Sequence, residues 1–510
     1  MGHIEGTDRE QMTFWTLEDM VGDESMVRVI DRFVDVLDLE ELGFGRTRPK
    51  DTGRPGYSAD ILVKLFIYGY ENGIRSSRKL ERECARNVEV MWLVQQLKPD
   101  HKTIAEFRKL NIRPLQKLFR EFVRLCRSWE LIGGELFAVD GTKIKASNNK
   151  KTNFSKKKLE KRIAYLDEKI EAWFQKAQEE DGLESQEHDT PQGLLELLER
   201  KETYNNYLRE LEKTGEGEVS LTDPDARLMG NNKGGVDVSY NVQATVDAKC
   251  HVIADFDVSL NPADHGQLDN MSKRLIRQGH RGFGMLADKG YYNGGDLKKC
   301  EKRKIKAIVA RQASPGSKDQ ERRGFSLDKF FYDKTTDSYI CPAQQILFAK
   351  SKPDTKQRKY SNKEACTKCQ HQAKCTGKNK NYRIITRGEY ADTYDRADQA
   401  FSDNYELYRK RQQIVEHPFG TIKHTMGFGQ FLLRTRRKVR TEVALVFLGY
   451  NLKRVLKELG FKELMARLEG YALCFLHLLT FLEEEFSASA ANRFNAVLCS
   501  PKRCDLTGVS

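Results

Sequence analysis

The fold depends on one stretch of the sequence, Leu136-Phe-Ala-Val-Asp140-Gly-Thr-Lys-Ile-Lys-Ala146. Its apolar beginning predicts a buried β-strand, and the carboxylate of Asp140 interrupts that strand. A buried carboxylate is costly unless it is paired, and a metal ion is a common partner. Beyond it, strand alternation places Lys143 and Lys145 on one face. We therefore expect Asp140 to bind a divalent metal beside a basic surface for nucleic acid. The alternative is an Asp that ends the strand at an Asp-Gly turn.

The composition is that of a basic protein with a sizeable core. The chain has 510 residues and a formal net charge of +13, from 87 Lys+Arg against 74 Asp+Glu. This length predicts roughly two to four domains, and the basic surplus fits a polyanion partner. No signal peptide is evident, and the longest apolar run, Tyr471 to Leu482, is too short to span a bilayer. We expect a cytoplasmic, nucleoid-associated protein with no membrane partner.

Residues 1–130 carry apolar side chains at helical spacing and predict a helical domain. Ser76 or Ser77 is placed to cap one short helix, and Thr103 and Glu106 have the spacing of a capping box for another. The first of these helices carries the basic residues Arg78, Lys79 and Arg82. Two short helices with a basic face predict a helix-turn-helix arrangement that contacts duplex DNA. The alternative is an ordinary helical domain with solvated cations.

The remainder of the chain predicts an α/β core with insertions. Residues 131–312 give the order strand, strand, strand, helix, strand, helix, strand, which is typical of a mixed sheet. A helical hairpin at 155–213 interrupts this core, and a basic, cysteine-containing segment at 320–392 follows it. Helices at 393–460 complete the core, and 461–510 form a helical tail.

Further carboxylates suit a metal site. Asp288, like Asp140, follows a buried apolar strand, and carboxylate oxygens are ligands that Mg²⁺ prefers. Two divalent cations about 3.5–4 Å apart, either Mg²⁺ or Mn²⁺, can stabilise both oxygens of a phosphoryl transfer. Glu416 is the best candidate for a third carboxylate. The alternative is a surface glutamate in a salt-bridged helix.

The helix that contains Glu416 breaks local rules. Pro418 should kink it, and Gly420 leaves space beside the carboxylate. Seven-residue spacing places Arg409 and Lys423 on the face of Glu416, where cations can hold phosphates. A later arginine run, which includes Arg436 and Arg437, is a second candidate for contact with the DNA backbone. A solvated basic turn is the alternative there.

Four cysteines in the 320–392 segment form a cluster: Cys341, Cys366, Cys369 and Cys375. A CxxC pair with two more cysteines is a Cys₄ zinc pattern, with His371 as a substitute ligand. Zinc would order a segment that we expect to have little core of its own. The alternative is a set of reduced, unliganded thiols.

Together these motifs resemble the DDE transposases of bacterial insertion sequences, in the branch with a Tyr–Arg–Glu–Lys signature. The resemblance covers most of the chain and is carried by Val139-Asp140-Gly-Thr-Lys, Ala287-Asp288-Lys-Gly-Tyr-Tyr, Glu416-His-Pro-Phe-Gly-Thr-Ile-Lys423, Gly53-Arg-Pro-Gly-Tyr57 and Lys98–Arg108. One departure concerns the signature arginine, because Arg411 precedes Glu416 by five positions where three intervening residues are usual. Glu416 and Lys423 match the signature, whereas the departure leaves the roles of Tyr408 and Arg411 open.

The resemblance implies a ribonuclease-H-like core that binds the terminal inverted repeats of a transposable element. Asp140, Asp288 and Glu416 would be the catalytic, metal-binding residues of DNA cleavage and strand transfer, and two ends would be joined by a homodimer. Two rivals remain at this point. One is a metal-dependent nuclease on the same core without strand transfer. The other is a catalytically silent DNA-binding derivative of a transposase.

Overall fold

The structure is a computed structural model. It describes residues 10, 12, 14–48, 55–180, 191–231, 234–311, 323–350, 357–376 and 381–471, so most of the predicted tail lies outside the described residues. The chain divides into two compact units. The first combines residues up to 129 with those from 444 onward, and the second comprises residues 130–443.

The first unit is helical, as its apolar spacing predicts. Its helices before residue 130 are α1 (Leu17–Met20), α2 (Met26–Asp35), α3 (Ala59–Glu71), α4 (Ser77–Arg86), α5 (Val88–Leu93), α6 (His101–Leu110) and α7 (Ile112–Ser128). Helices α4 and α6 are the predicted DNA-contacting pair, and they pack against each other with α5 between them in the chain. Helix α3 is buried along almost its whole length. Within it, the Lys64 ammonium is paired with Asp31 and Asp35 at 2.7 Å each, which offsets the cost of burying its charge.

Helix α6 begins earlier than the predicted capping box. Asp100 is its N-cap, and the Asp100 Oδ1 accepts hydrogen bonds from the backbone N–H groups of Lys102 (2.8 Å) and Thr103 (2.9 Å). The capping-box prediction at Thr103 and Glu106 is wrong, because the aspartate just before the helix already satisfies the free N–H groups of the first turn.

The second unit is built on a mixed sheet. In chain order its elements up to residue 310 are β1 (Leu136–Lys145), β2 (Asn153–Ser155), α8 (Lys156–Glu180), α9 (Pro191–Thr214), β3 (Glu218–Ser220), β4 (Arg227–Gly230), β5 (Val236–Asp247), β6 (Ile253–Ser259), α10 (Gln267–Arg277), β7 (Gly284–Ala287), α11 (Gly294–Lys302) and β8 (Lys306–Val309). The strand order is β4-β5-β1-β7-β8, with β6 also on β5. Strand β1 is antiparallel to β5 and parallel to β7, which is parallel to β8. The predicted mixed α/β sheet is confirmed.

Strand β1 continues through the Asp-Gly dipeptide. Asp140 pairs with Ala244 of β5 and Gly141 pairs with Gln243, so the turn that was the alternative for this dipeptide does not form. On the other edge, the parallel register pairs Ala138 with Leu286 of β7. Two positions further along this register, Asp140 of β1 lies level with Asp288, the residue that follows β7. The sheet therefore brings two distant carboxylates to the same level.

The predicted helical hairpin is present as α8 and α9. Its base is a two-stranded sheet in which β2 pairs with β3. Its core consists of Phe154, Leu159, Leu166, Tyr204 and Leu211, and Leu159 and Leu166 form the buried seam of α8.

The cysteine-containing segment forms an antiparallel sheet of its own. Its strands are β9 (Phe331–Asp333), β10 (Ser338–Ile340), β11 (Ile346–Ala349), β12 (Gln357–Ser361) and β13 (Ile384–Gly388), and its short helices are α12 (Lys363–Thr367) and α13 (Gln372–Thr376). Phe330, Tyr339, Leu347, Tyr360 and Ile385 form a buried cluster. The expectation that this segment has little core is therefore wrong, because apolar residues on alternate strand positions meet on one face.

The chain continues as α14 (Ala391–Asp403), α15 (Tyr405–Gly420), a π-helical turn at Thr421–Thr425 and α16 (Arg436–Leu459), and residues 461–471 are helical. The later part of α16 groups with the first unit, although the sequence assigned all of 393–460 to the core. In that unit the Phe447 ring lies 6.4 Å from that of Phe119, and Lys453 pairs with Glu71 at 2.9 Å. Among the described residues, no helix has the length and apolar character needed to cross a membrane.

Candidate active site

Asp140 is the centre of a polar site on the mixed sheet. Its Oδ1 accepts a hydrogen bond from the Gly141 N–H at 2.8 Å, and its Oδ2 lies 3.4 Å from Arg411 Nη1. Burial raises the pKa of Asp140 to about 6; Arg411 and the Gly141 N–H oppose this rise, and the carboxylates of Asp288 and Asp264 add to it. The ionised form of Asp140 is therefore disfavoured by its surroundings.

Asp288 comes directly after β7, as predicted, and caps a short 3₁₀ turn. Its Oδ1 accepts a hydrogen bond from the Gly290 N–H at 2.7 Å. A Cβ at Gly290 would lie 2.9 Å from Asp288 Oδ1 and 3.3 Å from Asp264 Oδ2. The glycine thus leaves open the space that two carboxylates border, and a larger residue would push against them.

Asp264 is a third acidic residue of the site, and it comes from the loop before α10. Its Oδ1 accepts hydrogen bonds from Asn241 Nδ2 at 2.9 Å and from Gln243 Nε2 at 2.8 Å. These two bonds fix one carboxylate oxygen, while the other faces Gly290. At Gly141, an added Cβ would lie 2.8 Å from Asp264 Oδ1, so this position of β1 also requires a glycine.

Sequence reasoning did not select Asp264 from the acidic residues near the strands, but a signal was available. Asn241 and Gln243 are 1% and 0% exposed, and they alternate in β5 with Tyr240, Val242 and Ala244. Two such amides point to the same face, and buried amides require hydrogen-bond partners. This pattern predicts a polar site on β5, to which Asp264 belongs.

Tyr291 is the buried residue that supports the site. Its side chain is buried, and its hydroxyl donates a hydrogen bond to Gln243 Oε1. Burial raises the pKa of Tyr291 well above its usual value, and the nearby carboxylates of Asp264, Asp140 and Asp288 act in the same direction. Tyr291 is therefore a neutral donor that orients Gln243, which in turn orients Asp264.

Glu416 lies on α15 with an exposed side chain. Its Oε1 accepts a hydrogen bond from Gln412 Nε2 at 2.8 Å, one turn away on the same helix. Among the described residues, no group of three or more His, Cys, Asp or Glu side chains has the geometry to hold a metal ion. The assignment of Glu416 to a metal site therefore stays a prediction.

Two cations from the same part of the chain interact electrostatically with Asp140. Arg411 makes the ion pair described above, although its spacing from Glu416 departs from the usual signature. Lys423 lies in the π-helical turn that follows Pro418 and Gly420. Burial lowers the pKa of Lys423, and the attraction of Asp140 opposes that effect. Such π-helical turns are frequent at functional sites.

The other predicted DNA-contacting residues are exposed, and some of them form ion pairs. Lys143 and Lys145 are both exposed on β1, and Lys145 Nζ lies 3.5 Å from Asp237 Oδ2. Arg409 pairs with Glu406 at 3.3 Å on the surface of α15. On α4, Arg78, Lys79 and Arg82 are all exposed. Contact of any of these residues with DNA stays a prediction.

Two arginines at the beginning of α16 pair with a buried carboxylate of the second unit. Arg436 Nε donates to the Val258 carbonyl at 2.6 Å, and its Nη2 lies 3.4 Å from Asp257. Arg440 also pairs with Asp257. Although burial raises the pKa of Asp257, Arg440 and its other polar neighbours bring it below the usual value. Arg436 therefore has partners within the protein and does not belong to a solvated turn. Arg437, in contrast, is exposed.

The four clustered cysteines line one cavity. Cys341, Cys366, Cys369 and Cys375 surround a space of about 30 Å³ together with apolar neighbours such as Phe330. Burial raises the pKa of the Cys375 thiol, and the other three thiols add to the rise. The described cysteines are all unpaired in disulfides. Convergence of the four thiols is compatible with a zinc site, but their geometry does not meet that of a metal site, so zinc stays a prediction.

None of the curated proteins matches the chain significantly. Among solved structures, a similar chain comes from a cryo-EM structure of the piggyBac transposase synaptic complex with hairpin DNA. The identity is 9%, the match covers 95% of this chain and 87% of that chain, and the TM-score is 0.32. No conclusion about the present chain is based on a similarity this low.

Two family models match separate parts of the chain. Residues 15–110 match a transposase domain designated DUF772, and residues 340–456 match the model described as a transposase DDE domain. The second match includes Glu416 and Lys423, whereas Asp140 and Asp288 lie outside both matched ranges. Together these two matches indicate a DDE transposase of the insertion-sequence type.

Proposed function

We propose that this transposase binds the terminal inverted repeats of its element and catalyses metal-dependent cleavage and strand transfer of double-stranded DNA. The observation that carries the proposal is the convergence of Asp140, Asp288 and Asp264 beside Arg411 and Lys423. Carboxylates and cations in one site suit a reaction in which a phosphate is held and its developing charge is neutralised.

The charge of the acidic residues favours a divalent cation. A carboxyl group with a pKa of about 6 is one whose charge lacks sufficient compensation, and a cation would supply it. Asp140 and Asp288 would hold Mg²⁺ or Mn²⁺, with Asp264 or Glu416 as the third carboxylate. When bound, the metal would activate the attacking oxygen and stabilise the leaving oxygen of the phosphodiester.

The chain's own residues prepare this site. Asn241 and Gln243 hold one oxygen of Asp264, and Tyr291 holds Gln243 in place. Lys423 is a half-buried cation that can bind a phosphate oxygen, because its charge is only partly compensated by Asp140. Arg411 forms an ion pair with Asp140. It would be free to contact phosphate once a metal neutralises that carboxylate.

We assign the mixed sheet to the ribonuclease-H-like folds. Supporting this assignment, the antiparallel strands β1, β5 and β6 precede β7 and β8, which are parallel to β1, with α10 and α11 as the connecting helices. DNA contact by the exposed basic residues of α4 and β1, and a homodimer that joins two ends, complete the proposal.

The test is cleavage of a plasmid that carries the element's two ends, in Mg²⁺ or Mn²⁺. We expect Asp140→Asn, Asp288→Asn and Glu416→Gln each to abolish cutting and to retain end binding. Undiminished cutting by one variant would remove that residue from the site. Asp237→Asn, which lies outside the cluster, is the matched control and should cut normally.

Thermal melts with and without Mn²⁺ resolve the third carboxylate, and the cleavage assay resolves the rival functions. If Asp264→Asn loses Mn²⁺-induced thermal stabilisation while Glu416→Gln keeps it, Asp264 is the metal ligand and Glu416 acts elsewhere. Cleavage without any joined product would favour a nuclease, and end binding without cleavage would favour a silent derivative.

A further inference from the structure

The beginning of helix α8, at the base of the hairpin, carries an unusual concentration of positive charge. Its first two turns contain Lys156, Lys157, Lys158, Lys161 and Arg162, and its first turn has no acidic residue. The amide dipoles at a helix N-terminus disfavour cations there. Cations that destabilise a helix in this way, and that are not compensated by partners within the protein, indicate a function.

These cations line an open groove of about 580 Å³. Its walls consist of Ser155, Lys157, Lys158, Lys161, Arg162 and Tyr165, with no acidic residue among them. Tyr165 is 55% exposed, and the Lys169 ammonium lies over its ring. The groove is therefore positively charged and accessible.

Two of the basic residues already have partners in the protein. Lys156 pairs with Glu212 of α9 at 3.2 Å. Lys158 Nζ donates to the carbonyl oxygens of Asn153 (2.6 Å) and Lys150 (2.9 Å), and it lies over the Phe154 ring. Lys158 thus fastens the helix to the strand before it, and repulsion from the nearby Arg162 acts against its charge.

Three cations remain available. Lys157, Lys161 and Arg162 are exposed, and no ion pair joins any of them to an acidic side chain within the part of the chain that the structure describes. Successive spacings of four and one along the helix place them on the surface beside the buried seam. Their charge is unneutralised by the protein itself, so it complements a polyanion.

We propose that this groove on α8 binds the phosphate backbone of duplex DNA, with Lys157, Lys161 and Arg162 as the contacting residues. The inference rests on the proposed function, since it concerns the same DNA, but it assigns the hairpin a role beyond packing. Contacts of this kind position the duplex and carry no sequence information.

The experiment measures binding of the full chain to a labelled 30-base-pair duplex of arbitrary sequence, without divalent cations, by fluorescence anisotropy over a range of salt concentrations. The variant Lys157→Gln/Lys161→Gln/Arg162→Gln removes three charges at little cost in helix propensity. Each lost phosphate contact reduces the slope of log affinity against log salt by about 0.9, so the three together should reduce it by roughly 2.7. Between 50 and 200 mM salt, the ratio of wild-type to variant affinity should therefore fall by about 40-fold.

The matched control removes three charges from the other helix of the hairpin, as Arg200→Gln/Arg209→Gln/Lys213→Gln. It lowers the net charge equally and should leave the slope within about one unit of the wild-type value. A second variant, Lys157→Arg/Lys161→Arg/Arg162→Lys, keeps the charges and should keep the slope. Equal slopes for the neutralised variant and the control would overturn the assignment of the groove. A wild-type chain that does not bind the duplex would instead refute the proposed function.

Discussion

Replacing Asp140 by Asn should stabilise the metal-free protein while abolishing its activity. A carboxyl group whose pKa is about 6 in the folded protein rather than 3.8 destabilises the fold by about 3 kcal/mol once it is ionised. Because the folded-state pKa is raised, this group favours folding fully below pH 3.8, and that contribution is lost as the pH rises through 6. The side chain is 27% exposed, so solvent does not remove most of the effect.

The difference between Asp140→Asn and wild type should therefore depend on pH. At pH 7.5 the variant should be more stable by about 3 kcal/mol, and at pH 5 by roughly half as much. The melting temperature should rise by on the order of 5 °C at pH 7.5. Thermal melts of both proteins in EDTA at pH 7.5, 6 and 5 measure this dependence, and each comparison is made at one pH, so other titrating groups cancel.

Asp257→Asn is the matched control with the opposite sign. Its pKa is held below the usual value, burial notwithstanding, by Arg440 and neighbouring polar groups, so its loss should lower the melting temperature at pH 7.5. If Asp140→Asn is no more stable than wild type at pH 7.5, or if its advantage grows as the pH falls, the electrostatic account of the site is refuted.

Two further predictions test the space at the site and the cysteine cluster. Gly290→Ala places a Cβ 2.9 Å from Asp288 Oδ1, and it should reduce cleavage at least about tenfold at a stability cost of about 1–3 kcal/mol. The control Gly230→Ala, with nothing within 4 Å of its Cβ, should cut normally. Equal activity of the two variants would show that the space is not required. Metal analysis of the purified chain should find about one zinc per molecule. The zinc should be lost in Cys366→Ser and retained in Cys250→Ser. A zinc-free wild type with the 331–388 sheet intact would exclude a structural metal.

Local sequence patterns were sufficient for the elements that carry the site. An apolar run ending in a carboxylate predicted β1 and β7, because burial and strand alternation are properties of neighbouring residues. Helical spacing predicted the first unit and the α8–α9 hairpin for the same reason. Likewise, the cysteine spacing identified thiols that do line one cavity.

What the tertiary structure alone decided were the partners of charged groups. Asp264 enters the site because the β1–β5 register sets Gly141 against Gln243, and no local pattern encodes that pairing. Arg436 turns inward to Asp257, although its sequence surroundings are those of an exposed basic run. A charge is expensive to bury without a partner, but which partner it finds depends on contacts between residues more than a hundred positions apart. Sequence periodicity therefore fixes which side chains are buried, whereas the fold determines which of them meet.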